Sequence, residues 1–288
     1  MKRRDFVQKS SLAAAAALAA PSLMANTRED VIKEFGFQAY TVRDRIYKDM
    51  PGTLKQLRKA GFDYMEGFDF GNGKLMQKPV AEAKEILKKS KIALKSLHIM
   101  TGNMNDEGVW QKTVDDAAEL GSEFLVCAYL TAEERKNLDQ YKALCELFNK
   151  RAEVAQKSGI QFAYHNHDFE FMELEGQMPM DVILKETDSN LVKIELDIYW
   201  TRYAEKDPIK FFRNNLNRVP LWHVKDLSLD EGRPMTEVGN GIIDWKQIFK
   251  YQSDSGLKYF FVEQDRNFKE GSVESLTSSI KYLKKMNY

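Results

Sequence analysis

The chain has 288 residues, of which 43% are hydrophobic and 30% are charged, a composition typical of a globular protein with a substantial apolar core. These values exclude a disordered chain. The formal net charge is zero, and the short lysine-rich runs at 88–91 and 281–285 are typical of solvated helix faces, so nucleic acid is not an expected partner.

The first 25 residues have the pattern of an export signal. Arg3 and Arg4 precede an alanine-rich apolar segment that ends at Pro21, and a small residue, Ala25, follows at a suitable cleavage point. The run R-R-D-F-V resembles a twin-arginine signal, and the apolar segment is too short to span a bilayer. We therefore expect residues 1–25 to be a signal peptide and the protein to be periplasmic, without stable membrane insertion. The alternative is a frayed N-terminal helix of a cytosolic protein.

The sequence contains only two cysteines, Cys127 and Cys145, which are too few for a disulfide framework. We expect both to be buried free thiols. A single bridge between them is the alternative in an oxidising compartment.

Eight short runs rich in β-branched and aromatic residues are predicted to be strands. They begin at Gly36, Tyr64, Ala93, Phe124, Gln161, Val192, Pro220 and Tyr259. The amphipathic segments between them carry helix start and stop signals such as Pro51 and Gly61. The predicted helices cover 51–61, 79–90, 110–120, 132–159, 180–186, 207–217, 244–255 and 272–286.

The spacing of these strands predicts one α/β domain over residues 26–288. Strand starts between Gly36 and Tyr259 recur about every 32 residues, the length of one strand–helix unit, and eight such units make a (βα)₈ TIM barrel. The competing fold is a doubly wound open sheet. It is disfavoured because no G-x-G-x-x-G motif follows the first strand.

Ionisable residues occur where the predicted strands end. The C-terminal ends of parallel barrel strands form one rim, so residues distant in sequence would face one cavity there. The candidates on this rim are His98, His165, His167, Asp197, His223, Lys225 and Glu263. Imidazole and carboxylate groups together suit a divalent metal such as Mn²⁺, Co²⁺, Zn²⁺ or Mg²⁺.

Two of these features have simpler explanations. His98 could be a hydrogen-bonded core histidine. Glu195 and Asp197 alternate along a strand and point the same way, so they could be the acidic members of a buried salt bridge, with Lys193 as the partner only if it too faces inward. So many buried acids would be costly without a cation, which favours the metal site.

Five ordered motifs carry a resemblance to a known family. They are Y-H-N-H-D-F-E-F (164–171), E-L-D-I-Y-W (195–200), W-H-V-K-D (222–226), E-V-G-N-G-I-I-D-W (237–245) and V-E-Q-D (262–265). This pattern resembles the sugar phosphate isomerase/epimerase family of xylose-isomerase-like TIM barrels. The resemblance implies a divalent metal held by strands five to eight, usually by Glu, Asp, His and Glu. The last three fall on Asp197, His223 and Glu263, whereas the strand-five glutamate is replaced by His165.

The resemblance implies proton abstraction next to a carbonyl of a sugar, keto-sugar or keto-glycoside, followed by isomerisation, epimerisation or elimination. Because the ketose epimerases use the strand-five and strand-eight glutamates as their acid/base pair, His165 favours a lyase or isomerase over a two-glutamate epimerase. Glu170 is an alternative source of the missing carboxylate. The expected site residues fall into three groups: Glu263, Lys225, His167 and Glu170 for catalysis, His165, Asp197, His223 and Glu263 for the metal, and His98, Trp200, Tyr40 and Glu66 for the substrate. The Gly239–Gly241 loop is expected to help enclose the sugar.

Two other functions remain as alternatives at this stage. One is a non-catalytic exported sugar-binding barrel, and the other is a metal-dependent hydrolase of the AP endonuclease type. The sequence is also compatible with a homo-oligomer.

Overall fold

A computed structural model describes residues 33–286 of the chain, so the predicted signal peptide lies outside the described residues. Eight parallel strands close into a barrel in the order β1-β8-β7-β6-β5-β4-β3-β2. The strands are β1 (Gly36–Gln38), β2 (Tyr64–Gly67), β3 (Ala93–Ile99), β4 (Phe124–Cys127), β5 (Gln161–His165), β6 (Val192–Asp197), β7 (Leu221–Val224) and β8 (Tyr259–Val262). The predicted TIM barrel and all eight predicted strands are confirmed.

Helices connect successive strands and cover the outside of the barrel. They are α1 (Arg43–Ile46), α2 (Met50–Ala60), α3 (Val80–Ser90), α4 (Glu107–Leu120), α5 (Leu138–Lys157), α6 (Pro179–Glu186), α7 (Ile198–Tyr203), α8 (Pro208–Asn214), α9 (Trp245–Phe249), α10 (Gln252–Ser255) and α11 (Ser272–Leu283). Their ends follow local chemistry. Asp49 caps α2 by accepting a hydrogen bond from Gly52 N, and Gly61 ends it in the left-handed conformation.

Three helix predictions were wrong in their boundaries or missed. The long helix expected from 132 begins only at Leu138, because Asn137 caps it by accepting a hydrogen bond from Gln140 N, and Ala132–Glu134 form a separate 3₁₀ turn. The segment expected as one helix over 244–255 divides into α9 and α10. Helix α7 was not predicted. Asp197 is its N-cap residue, and Asp197 Oδ1 accepts a hydrogen bond from Trp200 N.

Alternate residues of each strand point into the barrel, as the strand period requires. The lower part of the interior is an apolar plug formed by Tyr64, Phe124, Val126, Ala163, Leu221 and Phe261. Gly36 makes room for this plug, because a Cβ at position 36 would lie only 2.1 Å from the Tyr64 ring. Nearer the C-terminal ends of the strands, the inward-pointing side chains are ionisable. The polar groups of the interior therefore lie between the apolar plug and the C-terminal rim.

Two short antiparallel additions flank that rim. Phe70–Gly71, Lys74–Leu75 and Lys78–Pro79 form one of them after β2, and Asp226–Leu227 pairs with Met235–Thr236 after β7. Both cysteines are buried free thiols, as expected. Within residues 33–286, none of the helices combines the length and apolar character needed to cross a membrane.

Candidate active site

A cavity of about 720 Å³ opens at the C-terminal ends of the strands. Six of the predicted site residues line it: Tyr40, His98, His165, His167, Lys225 and Glu263. Its upper walls include the aromatic rings of Phe68, Phe70 and Tyr129, and its charged walls include Arg43, Asp265 and Arg266. The cavity therefore combines an ionisable floor with aromatic walls, a combination suited to a small polar ligand.

Asp197, His223 and Glu263 form a buried cluster, which we call the upper cluster, and Glu263 is the member that lines the cavity. His223 Nδ1 lies 2.6 Å from Glu263 Oε2 and 3.9 Å from Asp197 Oδ2. The Lys225 ammonium lies 2.7 Å from Glu263 Oε2 and 2.9 Å from Asp197 Oδ2. Residues from β6, β7 and the segment after β8 thus meet at one point, as the rim geometry predicted.

His165 lies between this cluster and a deeper one. Its Nε2 is 3.7 Å from Asp197 Oδ2, and its Nδ1 is 3.1 Å from Glu195 Oε2. The deeper group, which we call the lower cluster, consists of Gln38, Glu66, His98 and Glu195. The lower cluster also contacts the other ring nitrogen of His223, because Glu66 Oε2 lies 2.6 Å from His223 Nε2. His165 and His223 therefore each touch both clusters through different ring nitrogens.

Electrostatics fix the charge of the upper cluster. Burial disfavours the charged ammonium of Lys225, but attraction from Asp197, Asp265 and Glu263 outweighs this and raises its pKa well above the usual value. Burial acts to raise the pKa of Glu263, yet the positive charges of Lys225 and His223 lower it below the usual range. Lys225 is consequently charged and Glu263 ionised at neutral pH.

Two histidines on β5 and just after it remain neutral. Burial, reinforced by the positive charge of His223, lowers the pKa of His165 well below its usual value. Burial and the charge of Lys225 lower the pKa of His167 to about 3. Both imidazoles therefore keep a lone pair available at neutral pH.

The upper cluster fits a divalent metal by two criteria. Asp197 Oδ2, His223 Nδ1 and Glu263 Oε2 are buried and, within residues 33–286, have no hydrogen-bond partner in suitable geometry. Lys225 lies within ion-pair distance of both oxygens, and His223 Nδ1 is 2.6 Å from Glu263 Oε2. The donor set of carboxylate oxygen and imidazole nitrogen suits Zn²⁺, Mn²⁺ or Co²⁺, and His165 Nε2 could complete it. A cation here would offset the cost of burying several acids together.

Comparisons with known proteins agree with this architecture. Residues 54–286 match the family described as xylose isomerase-like TIM barrel. The chain belongs to the xylose isomerase-like TIM barrel family. An inosose dehydratase of Clostridium perfringens is 26% identical over 148 residues, which cover 46% of this chain and 49% of that protein. The chain thus spans about half the length of this curated relative.

Solved structures of this family share the fold over nearly the whole barrel. A sugar phosphate isomerase/epimerase from Parabacteroides distasonis is 27% identical, with a TM-score of 0.76 over 89% of this chain and 95% of that one. The IolI protein, solved with a bound zinc atom, is 15% identical, with a TM-score of 0.68 over 89% of this chain and 99% of that one. At 15% identity the second likeness shows the fold alone.

Glu170 does not reach the cavity of this xylose isomerase-like barrel. The residue is fully buried, and its carboxylate accepts hydrogen bonds from the Tyr164 hydroxyl and from His167 N at 2.8 Å. Burial raises its pKa to about 7. Because strand β5 ends at His165 and Phe169–Phe171 form a 3₁₀ turn, Glu170 turns back towards Tyr164. His165 therefore occupies the strand-five position of the site.

Two expected substrate contacts also lie away from the cavity lining. Glu66 is completely buried, so it has no surface from which to touch a ligand. Trp200 packs against His167, with ring centroids 5.5 Å apart, instead of lining the cavity. The Gly239–Gly241 loop is likewise absent from the lining residues, and Asp226 holds it by accepting hydrogen bonds from Gly239 N and Gly241 N.

Three residues of the site were not predicted from the sequence. Asp265 lines the cavity 3.3 Å from the Lys225 ammonium, and Gln38 donates a 2.7 Å hydrogen bond to Glu66. Arg43 lines the cavity and stacks on Tyr40. The signal for Asp265 was its position two residues beyond Glu263 in V-E-Q-D, and the signal for Gln38 was its place at the end of β1.

Proposed function

We propose that this protein is a divalent-metal-dependent lyase or isomerase that acts on a keto-sugar or keto-glycoside by proton abstraction next to a carbonyl. The observation that carries the proposal is the upper cluster with the charged Lys225 beside it, since Glu263 of this cluster and Lys225 both line a cavity of about 720 Å³. Asp197, His223, Glu263 and His165 would hold the metal. When bound, such a cation supplies Lewis-acid polarisation of a carbonyl oxygen.

The side chains around the cavity divide the remaining work. Glu263 is ionised and lines the cavity, so it can accept a proton from a substrate carbon. The Lys225 ammonium lines the same cavity and can donate a hydrogen bond to a substrate oxygen. His167 is neutral, and its buried Nδ1 has no hydrogen-bond partner in the part of the chain that the structure describes, so it offers a second site for a proton.

The geometry at β5 favours a lyase or isomerase over an epimerase with two glutamate bases. Such an epimerase needs carboxylates on both faces of the substrate carbon, whereas β5 contributes His165 and Glu170 is covered by Tyr164. Glu263 is therefore the glutamate that lines the cavity among the described residues. The similarity to an inosose dehydratase, whose name denotes elimination, is consistent with this choice.

Incubation with keto-sugars and aryl keto-glycosides in heavy water tests the proposal. Protein treated with a chelator should be inactive, and restored Mn²⁺, Co²⁺ or Zn²⁺ should promote deuterium incorporation next to the carbonyl or release of the aglycone. Glu263→Gln is the matched control, because it keeps the size of the side chain and removes the base. Substrate binding without any exchange or release in metal-loaded wild-type protein would contradict the proposal and favour a sugar-binding barrel.

We further propose that the protein is exported to the periplasm, which the Arg3–Arg4 pair and the alanine-rich segment support. Cell fractionation of the wild-type protein and of a variant with both arginines replaced by lysine tests this. Loss of the periplasmic pool only in the variant is expected. Equal cytoplasmic retention of both proteins would contradict export.

A further inference from the structure

Two acids in the barrel interior have no role in the proposed reaction. Glu66 on β2 and Glu195 on β6 are completely buried, neither lines the cavity, and neither belongs to the upper cluster. Burying a carboxylate without compensating contacts costs free energy, so the side chains that contact Glu66 and Glu195 indicate the role of these two acids. Both contact the histidines expected to hold the metal: Glu66 contacts His223, and Glu195 contacts His165 and, at 3.2 Å, the same Nε2 of His223.

The contacts are made to opposite nitrogens of the two rings. Glu66 Oε2 lies 2.6 Å from His223 Nε2, which leaves Nδ1 facing Glu263 and Asp197. Glu195 Oε2 lies 3.1 Å from His165 Nδ1, which leaves Nε2 facing Asp197 at 3.7 Å. In both rings, the nitrogen beside the lower cluster is the one farther from the upper cluster.

A carboxylate can only accept a hydrogen bond, so a ring nitrogen beside it carries a hydrogen. In His223 this applies to both nitrogens before metal binding, because Nδ1 lies 2.6 Å from Glu263 Oε2, and a metal would replace the hydrogen on Nδ1 alone while Glu66 keeps the one on Nε2. We propose that Glu66 and Glu195 are positioning residues that fix opposite tautomers of His223 and His165, so that each ring presents a lone pair to the metal. This inference rests on the metal site of the proposed function. Such carboxylate–histidine pairs orient metal ligands and raise their basicity in other proteins.

Other contacts hold the two carboxylates in place. Gln38 Nε2 donates a 2.7 Å hydrogen bond to Glu66 Oε2. His98 Nε2 lies 2.7 Å from Glu195 Oε2 and 3.1 Å from Glu66 Oε2, so it links the two acids. These groups keep each carboxylate against its histidine.

A second metal in the lower cluster would be a different use of the same residues. Ligand atoms of His98, His165, Glu195 and His223 lie within 4.8 Å of one another. The Oε2 atoms of Glu66 and Glu195 already lie within hydrogen-bond distance of two or more side-chain nitrogens, whereas their Oε1 atoms have no hydrogen-bond partner among the described residues. The number of bound ions therefore decides between the two uses. The positioning role predicts one metal per chain, whereas a second site predicts two.

Cobalt binding separates these roles without relying on catalysis. Full-length, chelator-stripped wild-type protein and the variants Glu66→Gln, Glu66→Leu, Glu195→Gln and Glu195→Leu are titrated with Co²⁺ by calorimetry and visible absorption. We expect one ion per wild-type chain, and about 10- to 100-fold weaker binding in the leucine variants. The glutamine variants should be affected less, because an amide oxygen still accepts the hydrogen bond from the ring.

Glu237→Gln is the matched control, since Glu237 is a buried carboxylate that accepts a 2.9 Å hydrogen bond from Ser275 and does not touch either histidine. Its Co²⁺ affinity and absorption spectrum should equal those of the wild type. Circular dichroism checks that each variant is folded, and the glutamine variants carry the test if a leucine variant is not.

Three outcomes distinguish the positioning role of Glu66 and Glu195 from the metal site of the proposed function. Absence of Co²⁺ binding to the wild-type protein would overturn both. One-ion binding in the wild type, with control-like affinity and spectra in all folded Glu66 and Glu195 variants, would overturn the positioning role alone. Two bound ions in the wild type, with one lost in each variant, would make these acids ligands and also overturn it.

Discussion

The carboxylates beside the two ring nitrogens of His223 differ in their hydrogen bonding. On the Nδ1 side, Asp197 Oδ2 and Glu263 Oε2 are buried and lack hydrogen-bond partners in suitable geometry among the described residues, and Glu263 lines the cavity. On the Nε2 side, Glu66 Oε2 lies in a sealed interior and accepts a hydrogen bond from Gln38. The upper cluster therefore has ligand atoms to spare for a cation, and its Glu263 lines the cavity. In the lower cluster the Oε2 atoms of Glu66 and Glu195 hold other side chains, and only their Oε1 atoms lack a hydrogen-bond partner among the described residues, away from the cavity lining.

Glu263→Gln should produce the largest loss of activity. The substitution keeps the shape of the side chain but removes the charge from the upper cluster and the proton acceptor from the cavity. We expect turnover to fall by about 10²- to 10⁴-fold, the usual contribution of a general base. Deuterium exchange into a keto-sugar at saturating metal measures this effect. Wild-type exchange rates in this variant would remove Glu263 from the reaction.

Lys225→Met separates the ammonium from the metal site. Methionine is comparable in length but uncharged, so it removes the cation that lies 2.7 Å from Glu263 and 2.9 Å from Asp197. Turnover should fall by about 10²- to 10³-fold, the effect of losing one donor to a reacting oxygen. Bound metal, measured by elemental analysis, should not decrease. Loss of the metal together with the activity would mean that Lys225 organises the ligands instead.

The lower cluster should reveal itself in the pH dependence of stability. Burial acts to lower the pKa of His98, but attraction from Glu66 and Glu195 outweighs it and raises the pKa from 6.5 to about 9. The stabilising charge is therefore fully present below pH 6.5 and is lost as the pH rises through 9. Urea unfolding of chelated protein should show a loss of up to about 3 kcal/mol over this range.

The variant His98→Asn is the control for that experiment. It cannot take up a proton, so its unfolding free energy should change much less between pH 6.5 and 9. An equally steep decline in the variant would assign the effect to another group such as His223, whose pKa burial acts to lower but Glu195, Glu263 and Glu66 raise well above its usual value.

Glu170→Gln should have the smallest effect on activity. Its carboxylate is held by Tyr164 and His167 N away from the cavity, so we expect turnover within about 10-fold of the wild type, as for a residue beyond the ligands. A loss as large as that of Glu263→Gln would mean that Glu170 supplies the second carboxylate after all. The comparison of these two variants directly tests the assignment of His165 to the strand-five position.

The sequence was sufficient to predict the barrel and much of the rim. Strand periodicity and the placement of His165, His223 and Glu263 at strand ends predicted one shared site, in which His165 and Glu263 line the cavity and His223 contacts Glu263 below it. The direction of Glu170 could not be predicted, because it depends on where β5 stops and a 3₁₀ turn begins. Glu66 has the inward position of a substrate contact, but its depth below the cavity depends on the register between strands.

Ring orientation lay further beyond the sequence. Nothing in the letters H-N-H or W-H-V-K-D states which nitrogen of His165 or His223 faces Asp197. That choice is set by Glu66 and Glu195 on other strands, and hence by tertiary contacts. Helix α7 was missed for a related reason: its N-cap is Asp197, which was interpreted from the sequence only as a metal ligand.

The metal content of Asp197→Ala tests the central claim most directly. Oδ2 of Asp197 belongs to the upper cluster and Oδ1 caps α7, so the variant should lose the metal and about 1 kcal/mol of stability while the barrel stays folded. Elemental analysis after metal loading and desalting should find one divalent ion per wild-type chain and almost none in the folded variant. An unchanged metal content in Asp197→Ala would contradict a metal site built from strands β5 to β8.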